Sequence, residues 1–327
     1  MSTVSTPSNA AGAPVPDGAE GATPARPEAP PPGSTSVVLG LIRLARPKQW
    51  AKNVLVFAAP AAAGVLDNRE WALDALVAFV VFCLAAAGTY YVNDARDAEA
   101  DRLHPKKCRR PVASGLIPVP VAYAGGAVLV AASLALASTV NGNLVLTAGG
   151  YVLLTTSYSA VLKHVAVVDL VAVAAGFVLR AVAGAVATEV PISDWFFIVT
   201  SFGALFMISG KRAAEHREMG EGARDFRAVL ESYSPAYTAY LRAVTSGGVL
   251  VAYCLWAFEK ADAVASSPAL PWYQLSILPF VMAVLRYALV LEEGRGSAPE
   301  EIVLSDRPLQ LIGIAWAIVF AIGVYTA

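Results

Sequence analysis

ALDALVAFVVFCLAAAGTYYVNDARDAEADRLHPKKCRRP, residues 72–111, joins a long apolar run to a connection crowded with charge. The first half, 72–92, carries a single charged residue, Asp74. At 1.5 Å per helical residue it is long enough to cross a hydrocarbon core of about 30 Å. The second half, 93–111, holds four carboxylates and six Lys or Arg in a chain that is only 15% charged. The stretch therefore predicts a membrane helix and the point where it emerges into water.

The same pattern recurs outward from this segment. The chain has 327 residues, 57% of them hydrophobic, a balance outside the soluble globular norm. An all-α membrane protein is expected, with nine spans near 50–66, 72–92, 118–139, 143–162, 166–187, 194–210, 236–257, 272–291 and 308–326. An amphipathic lead-in, SVVLGLIRLARPKQW (36–50), is suited to lying along the interface or extending the first span. Residues 1–36 are rich in Pro, Ala, Gly, Ser and Thr and read as a disordered tail, leaving 37–327 as one transmembrane domain. Three scattered cysteines form neither a disulfide framework nor a zinc site, and a net charge of −1 argues against a nucleic-acid partner.

Lys and Arg orient the bundle. They gather before the first span, in 93–111, at Lys163, in 211–227 and at Arg295 and Arg307, whereas the alternate connections hold only Arg69 and Lys260. The N-terminus and every charge-rich connection are thus expected in the cytoplasm. A multi-pass protein of the cell membrane is expected, with its charge-rich polar face on the cytoplasmic side.

Within 93–101, Asn93, Asp97 and Asp101 are spaced i, i+4, i+8, and Asp94 precedes Asp97 by three. On a continuing helix these oxygens share a face, where like charges repel unless a cation lies between them. Mg²⁺ suits such a site, since it takes hard oxygens and completes its shell with substrate phosphates. The following run, HPKKCRRP (104–111), has the density of Lys and Arg that phosphate oxygens require. A metal-bridged diphosphate accounts for both signs of charge. His104 reads as a turn residue, with no second His or Cys at ligand spacing.

Three further segments fall on the same face. RPKQWAKN (46–53) places Lys48 and Lys52 one helical turn apart, YSAVLKHVAVVDL (158–170) carries Tyr158, Lys163 and Asp169, and SGKRAAEHRE (209–218) carries Lys211 and Arg212. Arg180 lies inside the fifth span, where a charge is costly and marks a functional candidate, or else pairs with a carboxylate in the bundle.

Together these motifs resemble the UbiA-type intramembrane prenyltransferase superfamily, whose NDxxDxxxD pattern is matched by Asn93, Asp94, Asp97 and Asp101. RPKQWAKN, NDARDAEADRLHPKKCRRPVASG, YSAVLKHVAVVDL, GFVLRAVAGA, GKRAAE and DRPLQL resemble its decaprenyl-phosphate phosphoribosyltransferase branch most closely. The chain departs from the superfamily after the sixth span. The second DxxxD pattern of the aromatic prenyltransferases is missing from GKRAAEHREMGEGARD (210–225).

The resemblance implies a UbiA-like bundle and Mg²⁺-dependent transfer of 5-phosphoribose from 5-phosphoribosyl 1-diphosphate to a polyprenyl phosphate, for cell-wall arabinan and arabinogalactan. It implies Mg²⁺ on Asn93, Asp97 and Asp101, with Asp97, Asp101 and Lys163 as the catalytic set. Substrate contacts would come from Lys48, Lys52, Tyr90, Lys107, Arg110, Tyr158, Arg180, Lys211 and Arg212. Self-association is left open. The rival readings are a prenyltransferase acting on an aromatic acceptor and, less well matched, an anion transporter.

Overall fold

The computed structural model describes residues 36–104, 106–219, 232–263, 270–294 and 299–326. The expected tail, 1–36, falls outside them except for Ser36. Among the described residues there is no strand, and seven helices are long and apolar enough to cross a membrane. They are α3 (Arg69–Arg96), α5 (Val119–Ala137), α7 (Val168–Ala187), α8 (Asp194–Met219), α9 (Pro235–Ala263), α11 with the short α10 before it (Ile277–Glu292 and Trp272–Leu275), and α13 (Arg307–Thr326). The helix expected near 143–162 is present as α6 (Gly142–Ala160), in which Thr, Ser and Gly dilute the apolar residues.

The expectation near 50–66 meets a different structure. After the amphipathic α1 (Val37–Ala45), Arg46 adopts the left-handed conformation at φ 52° and Pro47 opens an eleven-residue 3₁₀ helix, Pro47–Phe57. Only then comes the short α2 (Ala58–Ala62). This corrects the expectation that Lys48 and Lys52 lie one helical turn apart. At three residues per turn, positions four apart are about 120° apart around the axis. Lys48 is accordingly exposed, while Lys52 is half-buried. The same period stacks Trp50, Asn53 and Val56, of which Asn53 and Val56 are fully buried.

The reason the 3₁₀ helix can lie so deep is Gly184 on α7. A Cβ at that position would stand 1.6 Å from the Val56 carbonyl oxygen, so only glycine lets the two backbones meet. Central α3 packs along α5 through the same economy of side chains, with Gly88 and Gly126 facing each other's carbonyls. Alanine is the commonest residue on its buried face. In lipid, close packing of small residues replaces the hydrophobic drive that holds soluble helices together.

Side chains secure the helix ends. Asn68 and Asn141 accept the Glu70 and Leu144 N–H groups at the starts of α3 and α6. Asp306, in DRPLQL, accepts from Leu309 N–H and takes two bonds from Arg286, at 3.0 and 2.7 Å, anchoring α13 to α11. The short helix α12 (Pro299–Ser305) precedes it.

Candidate active site

Three groups of polar side chains carry the candidate chemistry. The first forms where α3 ends. The helix stops at Arg96, Asp97 lies at the break with ψ 4°, and α4 (Ala98–Leu103) follows. Helical hydrogen bonding nevertheless continues across the join, from Asp97 N–H to Asn93 and from Asp101 N–H to Asp97. Asn93, Asp97, Asp101 and Asp94 therefore spread over an arc of about 100°.

Arginines hold the two edges of that arc differently. Arg46 reaches Asp94 at 2.6 Å, and Arg110 bridges Asp94 at 3.3 Å and Asp101 at 2.7 Å. Asp94 and Asp101 are both buried. At the other edge, Arg96 lies 3.5 Å from Asn93 Oδ1 and 3.4 Å from Asp97 Oδ1 in a more open setting, and donates to the Ser159 carbonyl at 2.5 Å. The Arg46 guanidinium also covers the Tyr90 ring at 4.7 Å.

The basic half of the motif folds back over this point. His104 caps α4, and its Nδ1 accepts the N–H groups of Lys106 and Lys107. The imidazole pKa is pushed down, first by partial desolvation and then by neighbouring Lys107, Arg110 and Lys106, which outweigh Asp101. His104 thus shapes the turn as a neutral acceptor. Lys107 begins a single 3₁₀ turn, Lys107–Arg109, that delivers Arg110 to the carboxylates. Pro105 lies outside the described residues.

The second group spans the α6–α7 turn and α8. Asp169, with no exposed surface, accepts from Arg212 Nε at 3.1 Å and from the Tyr233 hydroxyl. Arg212 also donates to Glu215 at 2.6 Å and to the Tyr158 hydroxyl at 3.3 Å. Lys211 stands 3.9 Å from the same Glu215, and Lys163 lies half-buried in the 3₁₀ turn Leu162–His164. The Glu218 side chain lies outside the described residues.

The third group is deeper. Arg180 is 6% exposed and donates to Asn53 Oδ1 at 2.7 Å, the Gly176 carbonyl at 2.6 Å and the Tyr151 hydroxyl at 2.9 Å. Its partners are neutral; among the described residues no carboxylate pairs with it. The alternative reading of Arg180, a pair with a bundle carboxylate, finds no such partner among these residues. Asn53 donates in turn to the Cys83 sulfur at 3.2 Å.

The structure thus brings Asp101 to Arg110, Asn93 and Asp97 to Arg96, Tyr90 to Arg46, and Tyr158 to Arg212. It leaves Lys48 exposed and gives Lys52 a bond to Gln49 at 2.5 Å. Sequence reasoning missed Asn53, Tyr151 and Tyr233 as partners of the charged residues. Asn53 closes the RPKQWAKN motif; Tyr151 and Tyr233 offer only an aromatic ring in an otherwise ordinary setting.

An all-helical bundle with an NDxxDxxxD motif emerging from a central helix defines a class, and comparison with known proteins agrees. The UbiA prenyltransferase family matches residues 53–303, and the chain belongs to that family. Decaprenyl-phosphate phosphoribosyltransferase of Corynebacterium glutamicum is 44% identical over 293 residues, covering 88% of this chain and 87% of that protein. The enzymes of the same description from Mycolicibacterium smegmatis and Mycobacterium tuberculosis are 42% and 43% identical, across 89% and 86% of this chain and 94% and 93% of theirs. The fold is shared with a UbiA homologue from Archaeoglobus fulgidus bound to GPP and Mg²⁺, with a TM-score of 0.66 at 19% identity, over 87% of this chain and 99% of that one. The chain is a multi-pass membrane protein of this family.

Proposed function

We propose that this protein transfers 5-phosphoribose from 5-phosphoribosyl 1-diphosphate to decaprenyl phosphate, releasing diphosphate. The observation that carries the reading is the 42–44% identity, over nearly the whole chain, to enzymes described as decaprenyl-phosphate phosphoribosyltransferases. The lipid product would serve arabinan and arabinogalactan synthesis. Its bundle would have nine spans, the 3₁₀ segment and α6 completing the seven apolar helices. Its N-terminus and polar chamber would face the cytoplasm, and residues 37–327 would form the catalytic domain.

Asn93, Asp97 and Asp101 would hold Mg²⁺. No group of three or more His, Cys, Asp and Glu among the described residues is gathered to hold a metal alone, and Arg110 already takes Asp101 Oδ2. That suits an ion which uses one or two carboxylates and completes its shell with substrate phosphates. When bound, the metal supplies charge neutralisation for the departing diphosphate.

The chain's own residues do the rest. Lys107, Arg110 and Lys163 hold phosphate oxygens of the donor, with Lys48, Lys52, Tyr90, Tyr158, Lys211 and Arg212 around them. Arg180 acts from below by fixing Asn53 and Tyr151. The C1–O bond to diphosphate breaks and a bond from C1 to an acceptor phosphate oxygen forms. That oxygen is largely ionised at neutral pH, with a second pKa of about 6, so no strong base is needed. Positioning and electrostatics carry the barrier reduction.

Purified protein given radiolabelled phosphoribosyl diphosphate, decaprenyl phosphate and Mg²⁺ should yield a labelled lipid. Product formed only from a prenyl diphosphate and an aromatic acceptor would establish the prenyltransferase reading instead.

A further inference from the structure

We infer that Tyr233 is a positioning residue for the donor half of the reaction. Its hydroxyl latches the α6–α7 turn, and with it Lys163, to the buried Asp169–Arg212 pair. The inference rests on the reading above, in which Lys163 contacts the phosphoribosyl donor.

The observation behind it is a strained turn with a visible restraint. Val167, immediately before α7, has φ 67° and ψ −45°. A β-branched residue at positive φ is a backbone outlier, close to the rare γ-turn that opposes local sterics. Packing of its own side chain does not impose this, because Val167 is 50% exposed. Its N–H, however, donates to the Tyr233 hydroxyl at 2.7 Å.

The same hydroxyl donates its proton to Asp169 Oδ1, which accepts Arg212 through its other oxygen. One oxygen is thus the junction between the turn, the first residues of α7 and the arginine of α8. Tyr233 is itself 2% exposed, and the Tyr237 ring lies parallel to it with centroids 5.7 Å apart. Burial and the bond to Asp169 push its phenol pKa well up, so the hydroxyl keeps its proton throughout the neutral range.

Only three residues separate Lys163 from Val167. The turn holding Lys163 is closed by Val165 N–H to the Leu162 carbonyl, and Ala166 packs beside Tyr233 in one apolar cluster. Where Val167 is held, Lys163 has little freedom to move. Backbone strain of this kind persists where surrounding contacts over-determine it, and it concentrates at ligand clamps.

Tyr233→Phe keeps the ring and its stacking but removes the latch. In the full chain, its KM for phosphoribosyl diphosphate should rise on the order of ten-fold, the equivalent of about 1.4 kcal/mol. Its kcat and its KM for decaprenyl phosphate should stay within about two-fold, a split that a general loss of folding would not produce. In a Lys163→Ala background, Tyr233→Phe should add almost nothing to the donor KM, because the two act as one unit. Tyr237→Leu, which disturbs packing without touching the latch, should leave the donor KM unmoved. If Tyr233→Phe alone folds poorly, the Val167→Gly/Tyr233→Phe pair supplies the measurement: glycine relieves the strain at positive φ but is equally free to leave it, so the unlatched turn moves and the donor KM should still rise. A donor KM within two-fold of wild type in that pair or in Tyr233→Phe overturns the latch, as does full additivity with Lys163→Ala. Failure of the wild-type protein to label the lipid would instead overturn the proposed reaction, so the two outcomes are distinguishable.

Discussion

Arg180 on α7 donates from Nε to Asn53 Oδ1 at 2.7 Å, joining side chains 127 positions apart in the chain. The bond fixes the 3₁₀ helix, and through it Lys52, against the centre of the bundle. Tyr151 and the Gly176 carbonyl accept from its two terminal nitrogens, so among the described residues a charge that would be costly in an apolar interior is met by oriented dipoles and the faces of Tyr151 and Phe177.

Arg180→Ala should therefore destabilise the protein by about 2–3 kcal/mol, since it strips a charged donor from several buried acceptors at once. Asn53→Ala should cost less and should couple to it, the double variant falling short of the sum by about 1 kcal/mol. Unfolding midpoints in detergent measure this. Strict additivity would show that Asn53 and Arg180 do not act through each other.

Gly184 makes a sharper prediction about the same interface. Its absent Cβ would meet the Val56 carbonyl oxygen at 1.6 Å, a backbone atom that cannot swing away. Gly184→Ala should push the 3₁₀ helix off α7 and cost about 3 kcal/mol or more, at the upper end of overpacking effects. Gly149→Ala and Gly150→Ala on α6 meet nothing within 4 Å and should be tolerated. Comparable yields and melting midpoints for all three variants would contradict the close approach.

The legibility of this chain follows from the range of the interactions. Apolar length and the NDxxDxxxD spacing are local, so α3 and its charged exit could be read directly. The 3₁₀ form of residues 47–57 could not, because Lys and Asn at those positions suit an α-helix equally; it depends on Gly184, far away in sequence. The same applies to Arg180, whose partners come from two distant segments, and to Tyr233, 64 positions from Asp169. The spacing of Asn93, Asp97 and Asp101 suggested one cation face. It could not reveal that Arg110, brought round by a later turn, holds Asp101 together with Asp94.

Lys163 sits half-buried in a turn between two helices, with no shift in helix packing needed to remove its ammonium group. Lys163→Ala should raise the KM for phosphoribosyl diphosphate by one to two orders of magnitude, the loss of one charge-assisted phosphate contact of about 1.5–3 kcal/mol. Melting midpoint and the KM for decaprenyl phosphate should change little. Equilibrium binding of labelled donor in the absence of lipid isolates the effect, and an unchanged affinity would remove Lys163 from the donor site.

Asp94 and Asp97 stand three positions apart, and their surroundings assign them opposite sensitivities. Asp94 is 2% exposed and holds two half-buried arginines, at 2.6 and 3.3 Å, so Asp94→Ala takes the carboxylate from Arg46 and leaves Arg110 with Asp101 alone. It should lower stability by about 1.5–3 kcal/mol, the range for losing hydrogen bonds to a charged group. Among the described residues Asp97 has only the looser Arg96 contact at 3.4 Å, with both side chains near one-third exposed. Its pairing adds little to folding, since exposed ion pairs contribute at most about 1 kcal/mol. Asp97→Asn should accordingly keep the wild-type melting midpoint while losing nearly all turnover, and the residual activity should no longer respond to added Mg²⁺. Chelation of the wild-type protein should reproduce the loss, and Mg²⁺ should restore it. Wild-type turnover in Asp97→Asn, measured as labelled lipid formed per folded protein, would take that carboxylate out of the reaction.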